Sequence, residues 1–537
     1  MKPSWKKLAQ HAQHVASLPD LFRQQPDRFD TFSVQAGPLL LDYSKNNISA
    51  ETLALLTALA DECDLQTWRQ RMFEGEKINT TEQRAVLHTA LRHPNHPQVG
   101  AEVHRQLTKM EQLCEALHTG RWQGYNGAAI KDVVIIGIGG SYLGPQLVCD
   151  ALRYSSLNAI NIHFVANVDA HSLDQTLAQL TPESCLFVVI SKSFTTQETL
   201  LNAHTALAWL QQACALESVA EQHFMAITAC PHKAQDFGIH EDNILTMWDW
   251  VGGRYSVWSS VGLPIALSIG MPAFREFLAG AAAIDEHFRL APLAHNLPVL
   301  MALVGLWNNN FLNYHQLAVL PYDQRLQHLP VYLQQLDMES NGKQVNRAGD
   351  TVSYATGPVV FGEVGTNGQH AFHQLLHQGR TIVACDFIAF AQPAHRFADH
   401  HETLLANMLA QSQALMSGRD QHQTLQLLLA QGMSEQHAQH LAAHMSFAGN
   451  RPSNTLLAER LDAHTLGALL AAYEHKVFVQ GVLWDINSFD QMGVELGKTL
   501  SQPLLACLQQ GTIDDAALDS STAGLLRELL KRRKNKL

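Results

Sequence analysis

The chain lacks the features that would mark a secreted protein, a membrane protein or a zinc-cluster protein. Its eight cysteines are scattered, with no CxxC pair, which favours reduced thiols in the cytoplasm over a disulfide framework or a zinc site. No run approaches the ~18 apolar residues that span a bilayer, and no apolar stretch follows the basic N-terminus, so we expect no signal peptide. Charged residues make up only 16% and the net charge is −12, which argues against nucleic acid or an acidic membrane as a partner.

Histidine is abundant, but its spacing contains no metal-binding motif. The 29 histidines include no HExxH or comparable pattern, and most of them stand among polar residues. We therefore expect neither a metal nor a cofactor. The hydrophobic fraction of 46% over 537 residues predicts a folded protein of two or three domains.

From about residue 130 the pattern changes from mainly helical to alternating strands and helices. Before that point, only Leu39–Asp42 favours a short strand. Ligands bind at the carboxyl ends of parallel strands, and polar or glycine-rich segments follow the first three predicted strands. Five apolar segments predict a parallel sheet covered on both faces: Val133–Ile136, Ile162–Val165, Leu186–Ile190, Phe224–Ile227 and Ile244–Met247.

The segment SKSFTTQET, Ser191–Thr199, lies between the third predicted strand and a predicted helix over Leu200–Leu210. It carries five hydroxyls and Lys192. The first N–H groups of a helix have no internal partner and lie at the positive end of its dipole, so this segment predicts a phosphate seat. A capping box, with Thr195 as N-cap and Glu198 three residues later, explains the same residues equally well. The two interpretations are compatible.

Two glycine-bearing segments offer further candidate ligand groups. GIGGSYLG has tyrosine at the sixth position of the dinucleotide fingerprint and does not match the P-loop pattern. It predicts either a close approach of backbone to a ligand, with Ser141 near a helix start, or only a tight turn. In WDWVGGRYSVW, Arg254 follows two glycines and stands between aromatic residues. Its planar donor fork suits an anion, although a loop arginine is more often solvated.

A second α/β block begins near residue 315. Its polar loops carry Glu339 and His370, which suit a general acid/base pair. Three segments predict strands and two predict long helices: Leu317–Leu320, Val359–Phe361 and Ile382–Ala384, then Glu402–Met416 and Thr465–Val482.

Six motifs in one order resemble the glucose-6-phosphate isomerase (phosphoglucose isomerase) family. They are GIGGSYLGP, SKSFTTQET, WDWVGGRYSVWS, LQQLDMESNGK, GEVGTNGQHAF and FDQMGVELGK, and they span roughly residues 130 to 500. The resemblance implies an α/β fold with two sugar-isomerase-type (SIS) α/β/α sandwich domains, parallel-stranded sheets, and helical N- and C-terminal segments. It implies a cytoplasmic homodimer without cofactor that interconverts glucose 6-phosphate and fructose 6-phosphate through a cis-enediolate. The alternative is a non-catalytic sugar-phosphate-binding regulator on the same fold.

The same motifs imply roles for individual residues. Glu339 resembles the base that moves a proton between C1 and C2, and Arg254 resembles the group that stabilises the enediolate. His370 resembles the ring-opening residue, contributed across the dimer interface, with Lys498 as its helper at the ring oxygen. The implied contacts to phosphate and sugar are Gly140, Ser141, Ser191, Lys192, Ser193, Thr196, Gln335 and Gln491.

We expect four segments along the chain. A helical N-terminal segment over residues 1–100 packs on the second domain, and a smaller sugar-isomerase domain covers residues 101–280. A larger one covers residues 281–510, and a helical tail covers residues 511–537. Two positions depart from the family pattern, because Ser193 stands where threonine is common and Val364 where proline is usual. Neither departure removes a functional group.

Overall fold

The computed structural model describes residues 2–93, 95–214, 216, 218–513 and 517–534. Contacts within the chain separate two compact units, Met1–Phe489 and Asp490–Leu537. Residues 514–516 and 535–537 of the predicted C-terminal tail lie outside the described residues. The four-segment division of the chain stays a prediction.

The first hundred residues are mainly helical, as the sequence predicts. Their exception is a hairpin in which β1 (Ser33–Ala36) pairs antiparallel with β2 (Leu39–Asp42). The predicted short strand is therefore confirmed. The helices of this region are α1 (Pro3–His11), α2 (Leu18–Gln24), α3 (Arg28–Thr31), α4 (Ala50–Glu62), α5 (Leu65–Phe73) and α6 (Gly100–His118).

The first sheet contains the five predicted strands in the order β4-β3-β5-β6-β7, and all neighbouring pairs are parallel. Its central strand is buried at every position because its sequence, CLFVVI, is wholly apolar. The strands are β3 (Asp132–Ile136), β4 (Asn161–Val165), β5 (Cys185–Ile190), β6 (Phe224–Thr228) and β7 (Ile244–Thr246). The helices alternating with them are α7 (Leu143–Ala151), α8 (Ala170–Leu177), α9 (Gln197–Ala213), α10 (Val219–His223) and α11 (Pro231–Asp236).

The second sheet has six strands in the order β1-β2-β11-β10-β8-β9. Strands β8 to β11 are parallel to one another, and the N-terminal hairpin joins them through an antiparallel pairing of β2 with β11. The predicted α/β fold with two mostly parallel sheets is therefore confirmed. The strands added here are β8 (Gln316–Pro321), β9 (Val359–Gly362), β10 (Ala384–Gln392) and β11 (Ser453–Arg460).

Two strands of this sheet differ from the sequence-based expectation. The third predicted strand, Ile382–Ala384, ends where β10 begins. Strand β11 is absent from the prediction because its sequence, SNTLLAER, mixes polar and apolar residues. Its Asn454 is satisfied across the sheet, donating to Asp386 Oδ1 at 2.8 Å. A polar residue can therefore lie in a central strand at little cost once its hydrogen bonds are made.

Long helices connect the sheets and complete the first unit. The predicted helices over Glu402–Met416 and Thr465–Val482 are confirmed within α18 and α21. The helices are α12 (Leu263–Ile269), α13 (Met271–Leu290), α14 (Leu297–Leu306), α15 (Leu329–Leu333), α16 (Asn367–Ala371), α17 (His373–Gln378), α18 (Ala398–Ser417), α19 (Gln421–Ala430), α20 (Glu435–His444) and α21 (Ala463–Leu483). Two π-helical segments, Trp307–Phe311 and Gln334–Glu339, continue α14 and α15 respectively.

A buried ion cluster joins α13, α21 and the 3-10 segment His88–Arg92. Arg92 Nε lies 2.9 Å from Asp285 Oδ2, and Arg92 Nη1 lies 2.8 Å from Glu474 Oε2. All three side chains are fully buried, so each charge depends on the others for compensation. The cluster therefore fixes the segment that carries His88 against the centre of the unit.

The second unit consists mainly of α22 (Glu495–Gln510) and α23 (Ser520–Lys534). A 3-10 turn over Met492–Val494 precedes α22. Within the described part of both units, no helix combines the length and the apolar character needed to cross a membrane.

Candidate active site

The loops that follow β3 and β7 meet at a pair of glycines. A Cβ built on Gly140 would lie 2.0 Å from the carbonyl oxygen of Gly253, so the β3 loop leaves no room for a side chain at Gly140, whereas a Cβ on Gly253 would meet nothing within 4 Å. Gly139 has a φ of +60°, and a Cβ on it would lie 3.0 Å from Gln335 Nε2. The glycines therefore permit three segments to converge, namely the β3 loop, the Arg254 segment and the segment that carries Gln335.

The hydroxyl-rich segment lies at the same sheet edge, between the end of β5 and the start of α9. Ser191 Oγ lies 3.2 Å from Thr196 Oγ1, and Ser193 Oγ lies 2.7 Å from Thr195 Oγ1. Ser141 is close to this edge as well, because a Cβ on Gly137 would lie 2.9 Å from Ser141 Cβ and 3.1 Å from the carbonyl oxygen of Ile190. The predicted cluster of hydroxyls thus forms beside the first turn of a helix.

The predicted capping box is wrong. Helix α9 begins at Gln197, so Thr196 rather than Thr195 is its N-cap, and the Thr196 side chain makes no capping hydrogen bond. The Thr196 hydroxyl therefore does not occupy the first-turn N–H groups, and the N-terminus of a helix suits an anion. Of the two interpretations of this segment, the geometry favours the anion seat.

Lys192 lies in the hydroxyl-rich segment, but its ammonium group is directed at a neighbouring loop. Lys192 Nζ donates to the carbonyl oxygens of Asp249 and Val251 at 2.9 and 3.1 Å. Burial lowers the pKa of this lysine to about 8. The side chain therefore ties the candidate phosphate seat to the segment that leads into Arg254.

Glu339 is placed by the π-helical segment Gln334–Glu339, which continues α15. Gln335 and Glu339 are four residues apart, so they lie on one face of the segment. Asp337 lies on the opposite, buried face and pairs with Lys476 at 2.9 Å. Single π-helical turns occur frequently at functional sites, and this one presents two of the predicted site residues together.

Arg254 lies beside Glu339 and is almost fully buried. Its Nη1 is 3.4 Å from Glu339 Oε1, and the exposed fractions of the two side chains are 1% and 23%. Arg254 Nε donates to Ser340 Oγ at 2.6 Å, and Nη2 donates to the carbonyl oxygen of Ser488 at 2.5 Å. An always-charged group is thus fixed next to a carboxylate that solvent and ligand can reach.

Sequence reasoning missed Ser340, Tyr255 and Ser488. Ser340 Oγ lies 3.0 Å from the hydroxyl of Tyr255 as well as accepting from Arg254. Both Ser340 and Tyr255 stand directly after a predicted site residue, inside motifs that the resemblance includes. The motifs therefore contained these two residues, but their role depends on contacts between segments some 85 residues apart, which the sequence does not show.

The structure does not bring His370 into contact with Glu339 or Arg254. His370 lies in the short helix α16 and its side chain is exposed. Its ring makes no hydrogen bond or ion pair with any residue that the structure describes. Its role in the site stays a prediction.

Gln491 and Lys498 lie in the second unit. Lys498 is exposed, and its Nζ donates to Glu495 Oε1 at 2.8 Å within α22. Gln491 precedes the turn at Met492–Val494. Their part in the site also stays a prediction.

The potential ligands for a metal are dispersed. In the parts of the chain that the structure describes, no three His, Cys, Asp or Glu side chains come together as a metal-binding group. All eight cysteines are free thiols.

The two mostly parallel sheets place the chain in the α/β class, and the hydroxyl-rich helix start together with the Glu339–Arg254 pair suits a phosphosugar isomerase. A family model described as phosphoglucose isomerase matches residues 42–526. The chain belongs to the phosphoglucose isomerase family.

The relatives and a solved structure agree with this membership. The chain is 51% identical over 534 residues to glucose-6-phosphate isomerase of Methylococcus capsulatus, covering 98% of each chain. It is 50% identical over 534 residues to glucose-6-phosphate isomerase of Hahella chejuensis, covering 98% of this chain and 96% of the relative. The crystal structure of a glucose-6-phosphate isomerase from Chlamydia trachomatis is 32% identical, with a TM-score of 0.84 and 98% of each chain covered.

Proposed function

We propose that this site interconverts glucose 6-phosphate and fructose 6-phosphate by proton transfer between C1 and C2, with Glu339 as the base. The observation that carries the proposal is the placement of Glu339 Oε1 at 3.4 Å from Arg254 Nη1, and the hydroxyl-rich segment at the start of α9 supports it as a candidate phosphate seat. Family membership assigns the glucose-6-phosphate isomerase reaction to the chain. The residue roles below are proposals.

Glu339 takes a proton from the carbon next to the carbonyl and returns it to the neighbouring carbon. Such a positioned general base contributes about 10²–10⁴-fold to the rate. The enediolate that forms between the two steps carries negative charge on oxygen. Arg254 is held by Ser340 and Ser488 before the reaction begins, so it stabilises that charge without reorganising.

The phosphate of the substrate occupies the hydroxyl-rich segment. Ser191, Ser193 and Thr196 supply hydroxyls, and the start of α9 supplies N–H groups. Gly140 and Ser141 lie on the sugar side, and Gln335 contacts the sugar from the π-helical segment. Lys192 contributes positive charge and a link to the Arg254 segment. The phosphate does not react, but its binding energy holds the sugar in register.

His370 opens the sugar ring, with Lys498 at the ring oxygen and Gln491 as a further substrate contact. Histidine is the side chain most often used for proton transfer, which suits the steps at the C1 hydroxyl and the ring oxygen. His370 is exposed and does not contact Glu339 in its own chain. We therefore place it in the site of a second copy, in a homodimer that works in the cytoplasm, where the free thiols stay reduced.

The first experiment is a turnover assay with fructose 6-phosphate in the presence of a metal chelator. We expect rapid formation of glucose 6-phosphate, followed through a coupled dehydrogenase, and no loss of rate on chelation. Absence of turnover, with 6-phosphogluconate still bound, would support the sugar-phosphate-binding regulator instead. Activity that the chelator abolishes would contradict the metal-free mechanism.

Subunit mixing tests whether His370 serves the partner's site. Glu339→Gln and His370→Ala are each expected to be inactive, but a mixed dimer then has one site with both lesions and one intact site. Random mixing into a twofold dimer should restore roughly a quarter of the parent activity. The measurement is the isomerase rate after co-refolding, with each variant refolded alone as the control. If mixing restores nothing, His370 acts within its own subunit.

A further inference from the structure

We propose that Ser340 is a positioning residue that, together with Tyr255, holds the Arg254 guanidinium away from the Glu339 carboxylate. The inference rests on the proposed roles of Glu339 as base and Arg254 as enediolate stabiliser. Neither Ser340 nor Tyr255 is assigned a contact with substrate.

The distances around Arg254 are uneven in a way that a simple ion pair does not explain. A charge-assisted bond between arginine and a carboxylate is normally about 2.7–2.9 Å and often bidentate. Here the contact to Glu339 Oε1 is 3.4 Å, whereas the neutral acceptors Ser340 Oγ and Ser488 O lie at 2.6 and 2.5 Å. These two short hydrogen bonds from Arg254 go to uncharged groups, whereas its contact with the Glu339 carboxylate is longer.

The Ser340 hydroxyl is itself fixed in place. Its oxygen lies 3.0 Å from the Tyr255 hydroxyl, and Ser340 is fully buried. The Tyr255 ring packs against His88 and Phe489, with centroid distances of 4.7 and 5.4 Å. Burial raises the pKa of Tyr255 to about 12, so the phenol keeps its proton and remains a hydrogen-bond donor.

Ser340 also follows Glu339 directly in the chain. The same stretch of backbone therefore positions both Glu339, the proposed base, and Ser340, the acceptor that holds Arg254 away from that base. Asp337, on the other face of this segment, is already paired with Lys476, and Arg254 is the cation within ion-pair distance of Glu339.

Removing the Ser340 hydroxyl leaves a buried N–H of Arg254 without this acceptor, which is costly. Glu339 Oε1 already lies 3.4 Å from Arg254 Nη1, and a carboxylate is a stronger acceptor than a hydroxyl, so we expect the guanidinium to turn into a two-bond contact with Glu339. That contact makes the carboxylate a weaker base. It also moves the positive charge away from the place where the enediolate oxygens develop charge.

The test compares Ser340→Ala with Ser260→Ala. Ser260 is a buried serine whose hydroxyl has no hydrogen-bond partner in the described part of the chain, so its variant loses a hydroxyl but no bond. For Ser340→Ala we expect kcat to fall about 10- to 100-fold with KM within about threefold, because the lost interaction acts in the transition state. We also expect the acidic limb of the pH–rate profile to move to lower pH. Ser260→Ala should match the parent in all three readouts.

Tyr255→Phe provides a second variant with almost unchanged shape. It removes the hydroxyl that lies 3.0 Å from Ser340 Oγ and that also hydrogen-bonds to Arg254, so we expect a fall in kcat with the same direction of shift in the acidic limb. If Ser340→Ala fails to fold, Tyr255→Phe decides the question alone. The proposal is overturned if the variants that fold have the same acidic limb of the pH–rate profile as Ser260→Ala. This holds even if their kcat falls.

Failure of this inference is separable from failure of the proposed function. If Glu339→Gln retains activity, the assignment of the base is wrong. If Glu339→Gln is inactive while Ser340→Ala and Tyr255→Phe keep the parent pH profile, only the positioning role is wrong.

Discussion

Glu339→Gln is expected to lower kcat by at least ~10²-fold, because a positioned general base contributes that much to proton transfer. Glutamine keeps the size of the side chain and can still face Arg254, so we expect the fold and the phosphate seat to remain. The measurement is the steady-state rate of fructose 6-phosphate conversion in the coupled assay, with binding of 6-phosphogluconate measured separately.

The matched control is Glu402→Gln, on the exposed face of α18. It makes the same chemical change far from any predicted site residue in sequence, and we expect parental kcat and KM. A Glu339→Gln enzyme that works within a few-fold of this control would remove Glu339 from the proton transfer.

Arg254→Lys is expected to lower kcat by about 10²–10³-fold, which is the range for losing one preorganised stabiliser of a developing oxyanion. Lysine keeps the charge but not the planar fork. It cannot occupy the Ser340 hydroxyl and the Ser488 carbonyl while also facing Glu339, as Arg254 does. We expect the loss chiefly in kcat, measured with saturating substrate.

Arg275→Lys is the matched control for this substitution. Arg275 makes two bonds of 2.9 Å to Glu111, but the pair is exposed. Exposed ion pairs contribute about 0–1 kcal/mol to stability, so we expect unchanged kinetics and a nearly unchanged melting temperature. Arg254→Lys kinetics equal to those of this control would show that charge alone is sufficient at position 254.

Most of the fold could be predicted from the sequence where apolar strands alternate with helices. The wholly apolar β5 and its neighbours appear where their patterns place them. The prediction failed where contacts between distant residues, rather than the local hydrophobic pattern, determine the position of a strand. In β11, the hydrogen bond from Asn454 to Asp386 compensates for the polar character of Asn454, and β10 begins only at Ala384, the last residue of the predicted Ile382–Ala384.

The candidate site could be predicted in part. The features that could not be predicted are those that depend on contacts between segments distant in the sequence. The hydroxyl cluster, the glycine turn and the Arg254–Glu339 pair come together in the structure. The direction of the Lys192 ammonium could not be predicted, because its acceptors are backbone carbonyls in another loop. The capping box failed for a local reason, since α9 starts one residue later than that motif requires.

The ammonium group of Lys192 couples the hydroxyl-rich segment to the loop of Asp249 and Val251. Because it bonds to the carbonyls of Asp249 and Val251, order gained at the phosphate seat is shared with the segment that carries Arg254. Thermodynamic linkage requires this coupling to be reciprocal. Under the proposed function, a sugar without its phosphate would lose more than affinity. It would also lose the further restraint that a bound phosphate passes through Lys192 to the segment of Arg254, so the unreactive end of the substrate contributes to the rate of the reaction at the other end.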